Sequence, residues 1–279
     1  MNLKASRRSF LAASAGLLAL SRAGAGATTQ TDEGSLKLGV ASYSFREFGR
    51  ALAIRDTKKL GVQYINIKDV HLPLTSTPDE IAKARKDFEK AGLTILGGGN
   101  VSFQTNDEAD IKQKFIYAKA AGMPLLVCAP THETLPKMEK YVKEFDIKIA
   151  VHNHGPEDKH FPTPESVLEA VKGMDPRCGL CMDIGHSART GVDVVEAVHK
   201  AGTRLLDMHV KDLANLMDKA SQVPVGDGKM PIVAIFKELK KMKYQGGIML
   251  EYEIEGDNPM PGMQKSFSYM RGVLAGLQG

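Results

Sequence analysis

The sequence is poor in aromatic residues, cysteines and long apolar runs. Its 279 residues include no tryptophan, and aromatic residues make up 6% of the chain. The cysteines are only three, Cys128, Cys178 and Cys181, too few for a fold that depends on disulfides. The CxxC spacing of Cys178 and Cys181 has no second pair beside it, so we expect buried apolar thiols rather than a zinc or redox site. No stretch beyond the N-terminal region is long and apolar enough to span a membrane.

The N-terminal residues have the pattern of an export signal. Ser6-Arg7-Arg8-Ser9-Phe10-Leu11 is a twin-arginine sequence, and an Ala/Leu-rich stretch follows it to Leu20. Small-residue cleavage sites come next, at Ala23-Gly24-Ala25 and Ala25-Gly26-Ala27. We therefore predict a cleaved twin-arginine signal peptide over residues 1–27 and a periplasmic location. The alternative is a membrane anchor, but the stretch is short and rich in alanine and glycine.

The net charge of +4 belongs to this leader. Its basic residues are Lys4, Arg7, Arg8 and Arg22, and it contains no acid. Without it, 33 basic and 33 acidic residues remain. A neutral domain lacks the basic surface of a nucleic-acid-binding protein, so we expect a small ligand that is neutral or modestly charged.

Strand-like and helix-like segments alternate eight times along the chain. The predicted strands are Leu36–Phe45, Tyr64–Val70, Leu93–Leu96, Leu125–Ala129, Lys148–His152, Gly179–Asp183, Leu205–Val210 and Gly247–Tyr252. Several are continuous apolar runs, as expected for parallel strands buried on both faces. The pattern predicts an α/β fold, a (β/α)8 TIM barrel in a single domain over residues 35–279.

Two further local features bear on this prediction. An open doubly wound sheet would favour a glycine-rich fingerprint after the first strand, whereas the first strand here ends in Ser42-Tyr43-Ser44-Phe45. The triplet Gly97-Gly98-Gly99 follows the third predicted strand, and we expect a tight βα turn there rather than a phosphate loop. A short helical insert is expected around Leu213–Ala220.

Four predicted strands in the second half each end on an imidazole or a carboxylate. His152, Asp183, His209 and Glu251 stand where an apolar run stops and a loop begins. In a βα barrel that edge carries active sites. Such groups converging on one point suit one divalent ion, such as Zn²⁺, Mn²⁺, Co²⁺ or Mg²⁺. His154 points the same way along an extended chain as His152; we expect the deeper His152 to be the ligand and His154 to face the pocket.

Other polar residues crowd the same predicted edge. Lys68 and His71 end the second strand, and His186 and Lys211 follow the sixth and seventh strands. Asp227 lies in a Gly-Asp-Gly turn of the seventh βα loop. We expect Lys68, His71, His186 and Asp227 to contact the substrate. A structural role in a loop is the alternative for each of them.

Four segments of the second half resemble the xylose isomerase-like TIM-barrel superfamily and, within it, the sugar phosphate isomerase/epimerase family. They are Asp183-Ile184-Gly185-His186, Met208-His209-Val210-Lys211-Asp212, Val223-Pro224-Val225-Gly226-Asp227-Gly228 and Leu250-Glu251-Tyr252-Glu253. The similarity covers essentially the whole chain after the leader and is densest after residue 150. It implies one divalent ion held at the ends of strands five to eight, with Asp183, His209 and Glu251 as ligands. It also implies a substrate contact at His186.

The first ligand position departs from the family's pattern. Where the epimerases commonly have Glu-Asn-His, this chain has His152-Asn153-His154. In two-base epimerases that glutamate moves a proton on one face of the substrate, while the last glutamate works on the other face. An imidazole whose lone pair binds a metal is unable to act as a base. The departure therefore favours one-base chemistry, such as ketose–aldose isomerisation or β-elimination from a keto-sugar.

The resemblance implies a divalent-metal-dependent isomerase, epimerase or lyase that acts on a sugar, keto-sugar or polyol through an enediolate-type intermediate. Glu251 is the expected general base, and Lys211 or a pocket histidine such as His154 returns or relays the proton.

Two alternatives remain open. One is an exported sugar-binding barrel without catalysis. The presence of His152 in place of the usual glutamate is the feature that leaves this alternative open. The other is an endonuclease IV-like enzyme, which would need three zinc ions and more histidine and glutamate ligands on the early strands. The neutral charge and the leader argue against DNA as a partner, and the sequence is compatible with a homo-oligomer.

Overall fold

Eight parallel strands close into a barrel in the computed structural model, which describes residues 36–278. The predicted leader lies outside the described residues. The barrel strands are β1 Lys37–Ala41, β2 Tyr64–Ile67, β3 Thr94–Phe103, β4 Leu125–Pro130, β5 Lys148–His152, β6 Cys178–Asp183, β7 Leu205–Val210 and β10 Gly247–Leu250. Neighbours follow sequence order around the barrel, and β10 pairs with both β7 and β1. The predicted TIM barrel is confirmed.

Helices connect the strands and surround the barrel. They are α1 Arg50–Lys59, α2 Pro78–Lys90, α3 Glu108–Ala121, α4 Leu135–Phe145, α5 Pro164–Ala170, α6 Ile184–Arg189, α7 Val194–Ala201, α8 Ile232–Lys241 and α9 Met260–Gly276. Local sequence explains several ends. Thr77 caps α2 by accepting a hydrogen bond from the Glu80 amide, with Pro78 at the first helical position, a favourable combination. No helix among the described residues is long and apolar enough to cross a membrane.

Alternate residues of each strand pack on opposite sides of the barrel wall. In β4, Leu126 and Cys128 belong to the main core, which lies between the barrel and its helices. Leu125 and Val127 belong to a small cluster inside the barrel. This period of two means that every second residue near a strand's carboxyl end points toward the barrel axis.

The cysteines are buried free thiols, as predicted. Cys178 lies in the main core, and Cys181 lies in the cluster inside the barrel. Residues three apart on a strand point to opposite faces, so the CxxC pair is unable to form a shared metal or disulfide site.

The glycine triplet is not a turn, which corrects the prediction. Residues 97–99 lie within β3, which is longer than expected and carries register shifts against both neighbours. A Cβ on Gly99 would lie 2.0 Å from the Val127 carbonyl oxygen of β4, and the residue has φ +127°. Glycine lets two strands approach too closely for a side chain.

The loop after β7 also differs from the prediction. It forms a short antiparallel hairpin, β8 Asp212–Leu213 with β9 Gln222–Val223, and a 3-10 turn at Lys219–Ser221 instead of a helical insert. One side chain of β8 holds the turn that follows the hairpin. Asp212 accepts hydrogen bonds from the amides of Gly226, Gly228 and Met230 at 2.9–3.1 Å.

Candidate functional site

Four side chains meet at the carboxyl end of the barrel. One donor atom from each of His152, Asp183, His209 and Glu251 lies within 4.8 Å of the others. His152 Nε2 is 3.2 Å from His209 Nδ1 and 3.6 Å from Asp183 Oδ2, and His209 Nδ1 is 3.2 Å from Glu251 Oε2. His152 and Asp183 end β5 and β6, His209 is next to last in β7, and Glu251 follows β10. Strand pairing, which sets Asp183 opposite His209, brings these positions to one level.

The two carboxylate oxygens of Asp183 have different surroundings, one bonded to the backbone and the other facing the cluster. Its Oδ1 accepts a hydrogen bond from the His186 amide at 2.8 Å and so caps α6. Asn153 fixes the strand end, because its Oδ1 accepts from the Asp183 amide at 3.0 Å and its Nδ2 donates to Ser187 Oγ at 3.0 Å. Asp183 Oδ2 faces the cluster, 3.6 Å from His152 Nε2 and 2.9 Å from Lys211 Nζ. A buried carboxylate oxygen needs positive partners, and a cation at the cluster would add one.

Lys211 places a buried ammonium group against the cluster. Its Nζ is 2.9 Å from Asp183 Oδ2, 2.9 Å from Glu251 Oε2 and 2.6 Å from Glu253 Oε2. Burial acts to lower the pKa of Lys211, but the three carboxylates outweigh it and raise that pKa well above its usual value. The side chain is therefore a charged ammonium group at neutral pH.

The acids of the cluster are ionised for the same reason. Burial acts to raise the pKa of Asp183, but His186 and Lys211 hold it well below its usual range. Burial acts in the same direction on Glu251, where His209 and Lys211 lower the pKa. Burial alone would lower the pKa of His209, and the charge of Glu251 raises it to about 9. The site is thus a dense set of opposite charges with little access to water.

His186 and His154 extend the cluster toward solvent. The ring centroids lie 4.7 Å apart, and the His154 centroid is 5.1 Å from that of His152. Arg189 Nη1 donates to His186 Nδ1 at 3.0 Å, so the ring proton of the neutral His186 is on Nε2, which is 3.9 Å from Asp183 Oδ2. Burial lowers the pKa of His186 to about 3, and the ring is neutral at neutral pH.

Cavities lie at both ends of the barrel. One of about 370 Å³ opens beside His154 and is lined also by Gln104, Glu157, Asp158, Lys159, His160 and Lys219. A larger one of about 530 Å³ lies beside Lys148, Leu205 and Gly246, where strands begin. Active sites of βα barrels lie at the carboxyl ends of the strands, so the smaller, polar cavity is the one that belongs to the candidate site.

His71 was expected to contact substrate, and the structure assigns it another role. Its ring is buried, with Nδ1 2.8 Å from Ser42 Oγ and Nε2 within 3.2 Å of the carbonyl oxygens of Phe45 and Phe48. Ser42 Oγ in turn accepts from the Lys68 amide. Both ring nitrogens are engaged, so His71 ties the loop after β2 to the loop after β1, and its contact with substrate stays a prediction that these bonds do not support.

Lys68 and Asp227 are also placed outside the cluster. Lys68 is half-buried, and its Nζ donates to the Asn100 carbonyl oxygen at 3.0 Å and lies over the Tyr43 ring. The carboxylate of Asp227 pairs with Lys265 of α9 at 2.6 Å. The Gly-Asp-Gly turn is thus organised by Asp212 and anchored to α9, and a substrate role for Asp227 gains no support from these contacts.

Three polar residues near the cluster are not among the predicted site residues. Glu253 binds Lys211, and Asp207 and Asn66 are buried inside the barrel, with Asn66 Nδ2 2.7 Å from Asp207 Oδ2. Burial raises the pKa of Asp207 to about 7. The alternation of side chains along a strand could have identified two of them. Asp207 precedes His209 by two residues and Glu253 follows Glu251 by two, so each is expected on the same face as its neighbour.

The sequence matches a family model described as a xylose isomerase-like TIM barrel over residues 54–273. The inosose dehydratase of Mesomycoplasma hyopneumoniae strain 7448 is 28% identical over 162 residues, which cover 50% of this chain and 53% of that protein. The rhizopine catabolism protein MocC of Rhizobium meliloti is 27% identical over 143 residues, 46% of this chain and 43% of that protein. The chain therefore spans about half the length of the curated relatives it matches.

Solved structures share the fold over most of the described barrel. A Parabacteroides distasonis protein is 26% identical, with a TM-score of 0.67 over 85% of this chain and 98% of that one. The protein IolI, solved with a bound zinc atom, has a TM-score of 0.73 at 19% identity and covers 87% of this chain and 99% of its own. At that identity the likeness to IolI establishes the fold alone.

Proposed function

Because the chain belongs to the xylose isomerase-like TIM-barrel family, we propose that it is a divalent-metal-dependent isomerase, epimerase or lyase acting on a sugar, keto-sugar or polyol. The observation that carries the proposal is the meeting of His152, Asp183, His209 and Glu251 within 4.8 Å. Two imidazoles and two carboxylates are donors that Zn²⁺, Mn²⁺ and Co²⁺ accept. The inosose dehydratase relative supports a polyol- or keto-sugar-type substrate.

A divalent ion held by these four residues would polarise a substrate carbonyl and its neighbouring hydroxyl and so stabilise an enediolate-type intermediate. Glu251 is the proposed general base. Its lowered pKa keeps it ionised at neutral pH, and a carboxylate has a second oxygen to accept a proton while the first faces the cluster. The proton comes from the carbon next to the carbonyl.

Lys211 is the proposed donor that returns the proton or passes it to a leaving hydroxyl. Its ammonium group is 2.9 Å from Glu251 Oε2, so the base and the acid of the reaction are in direct contact. His154, exposed at the cavity, is the proposed relay to solvent, and His186 presents its Nε2–H to substrate oxygens.

His152 bears on the type of reaction. Its Nε2 points into the cluster, which suits a ligand and leaves the residue unable to serve as a second base. We therefore favour one-base chemistry, isomerisation or β-elimination, over two-base epimerisation.

The test begins with metal analysis of the purified protein, followed by a screen of keto-sugars and polyols in deuterated water. We expect metal-dependent incorporation of deuterium at the carbon next to a carbonyl. Binding of a sugar without exchange or product would instead support the non-catalytic sugar-binding alternative.

Glu251→Gln should lower turnover by roughly 10²–10⁴-fold, because it removes the general base, while the circular dichroism spectrum stays unchanged. Glu89→Gln, which removes an exposed carboxylate on α2, is the matched control and should keep full activity. Near-normal kinetics for Glu251→Gln would remove this residue from the mechanism.

A further inference from the structure

A buried polar group lies inside the barrel directly below the four-residue cluster. Asp207 on β7 is 2% exposed, and its Oδ2 accepts a hydrogen bond from Asn66 Nδ2 of β2 at 2.7 Å. Cys181 Sγ of β6 lies 3.6 Å from the same oxygen. Asp207 and His209 are two residues apart on one strand, so both side chains point toward the barrel axis.

The His209 ring lies between this group and the cluster. Its Nδ1 is 3.2 Å from both His152 Nε2 and Glu251 Oε2, so that nitrogen faces the proposed metal position. Its Nε2, on the other side of the ring, is buried and has no hydrogen-bond partner in the described structure. The atom that faces it is Asp207 Oδ2, at 3.8 Å.

The tautomer of His209 follows from this orientation. A neutral imidazole carries one proton, and a ring that offers the lone pair of Nδ1 to a metal must carry its proton on Nε2. A buried N–H without an acceptor costs about 1–3 kcal/mol. Asp207 Oδ2 has a lone pair left after accepting from Asn66, and an approach of roughly 1 Å would bring it to hydrogen-bond distance of Nε2.

We propose that Asp207 is a positioning residue that accepts the Nε2–H of His209 and so keeps Nδ1 as the ligand atom, with Asn66 holding Asp207 in place. The inference rests on the proposed metal-dependent function. Metal-bound histidines in general donate their second ring N–H to a carboxylate, a carbonyl or water, and loss of that partner lowers metal affinity 10- to 100-fold.

The wall of the barrel is shaped to admit Asp207. A Cβ on Gly247, the neighbouring residue on β10, would lie 2.9 Å from Asp207 Oδ1. By contrast, His152 Nδ1 is buried and has no partner among the described residues. Of the two histidines, only His209 has a carboxylate facing its second ring nitrogen in the described structure.

Cys181 is the competing candidate for this position. It forms a group with His152 and His209 whose donor atoms also lie within 4.8 Å of one another. Its Sγ lies 3.6 Å from Asp207 Oδ2, so the thiol faces the inner carboxylate. The geometry therefore assigns Cys181 to the layer below the cluster, as a weak donor to Asp207.

The experiment compares Co²⁺ binding to the wild type and to Asp207→Leu, a substitution of similar size that removes the acceptor. Affinity is measured by competition with a chelator, and ligand geometry by the visible absorption of Co²⁺. We expect Asp207→Leu to bind Co²⁺ 10- to 100-fold more weakly with an altered absorption band. Asp207→Asn retains an acceptor oxygen and should recover much of the affinity.

A control variant, a substitute variant and an NMR measurement make the result decisive. Asp56→Leu removes a buried carboxylate from α1, outside the barrel, and should bind Co²⁺ like the wild type. If Asp207→Leu fails to fold, Asn66→Leu takes its place, with a smaller loss of affinity expected. Nitrogen-15 NMR of the Zn²⁺-loaded wild type should find the His209 proton on Nε2.

The outcomes separate the two proposals. A wild type that binds no divalent ion would overturn the proposed function and this inference together. A wild type that binds Co²⁺, with unchanged affinity and absorption in Asp207→Leu, would overturn the role of Asp207 alone and leave the metal-dependent function standing.

Discussion

At the residue scale, single side chains combine a structural role with a chemical one. Asp183 Oδ1 caps α6 while Oδ2 faces the cluster, so this strand-end acid is both a helix cap and a candidate metal ligand. Lys211 likewise holds two cluster carboxylates together and is the proposed proton donor. Substitution of either residue therefore changes local structure as well as chemistry, and conservative variants are needed to separate the two.

His71 provides a test of pH-dependent stability away from the cluster. Burial lowers its pKa below 6.5, partly offset by the carbonyl oxygens of Phe48 and Phe45. The unfolded chain therefore binds a proton at higher pH than the folded chain, so stability falls as pH drops below about 6.5. In His71→Gln we expect a shallower loss of unfolding free energy from pH 7 to pH 5, measured by urea denaturation.

The control for this measurement is His132→Gln, which changes an exposed histidine in the loop after β4. It should keep the slope of the wild type. If His71→Gln also kept that slope, burial of the neutral His71 ring would contribute nothing to the acid sensitivity of the fold.

At the element scale, irregular segments set the form of the barrel. Register shifts on both sides of β3 accompany its glycine triplet, and the turn after the β8–β9 hairpin is held by hydrogen bonds to Asp212 of β8. Both are cases in which contacts distant in sequence override local preference. A glycine run has the composition of a turn, and only the proximity of β4 makes it part of a strand.

Gly99→Ala tests this close packing. The new Cβ would lie 2.0 Å from the Val127 carbonyl oxygen, and the alanine would have to adopt a φ of +127°. The backbone must therefore move. We expect a loss of roughly 1–3 kcal/mol or more in the free energy of unfolding, measured by chemical denaturation.

Gly49→Ala is the matched control, since a Cβ there meets nothing within 4 Å and φ is −71°. Its stability should stay close to that of the wild type. Equal stability of Gly99→Ala would mean that β3 and β4 can separate freely at this point.

At the scale of the whole molecule, barrel closure brings together residues that are distant in sequence. His152 and Glu251 are 99 positions apart, yet both belong to a group of donors within 4.8 Å of one another. Closure gives every strand the same direction, so all carboxyl ends share one edge. The outer helices carry charges of both signs, in keeping with the near-neutral composition beyond the leader.

Export remains a proposal about the whole chain. We expect Arg7→Lys with Arg8→Lys to retain the protein in the cytoplasm, because the arginine pair is the recognition element of the twin-arginine signal. Cell fractionation measures the distribution. Arg22→Lys changes an arginine outside the pair, and this variant should still be exported. If the double variant were found in the periplasm, the proposed route would be refuted.

The sequence by itself determined the barrel, because eight strand–helix alternations and apolar strands leave few other ways to bury the chain. It also determined which strand ends carry His152, Asp183, His209 and Glu251, since each follows an apolar run. Only the tertiary structure decided which polar residues meet. Lys211 binds Asp183 and Glu251, and Asp207 lies beneath His209. By contrast, the side chains of His71 and Asp227 bind partners in the loops and in α9. These partners depend on strand register and barrel closure rather than on local sequence pattern.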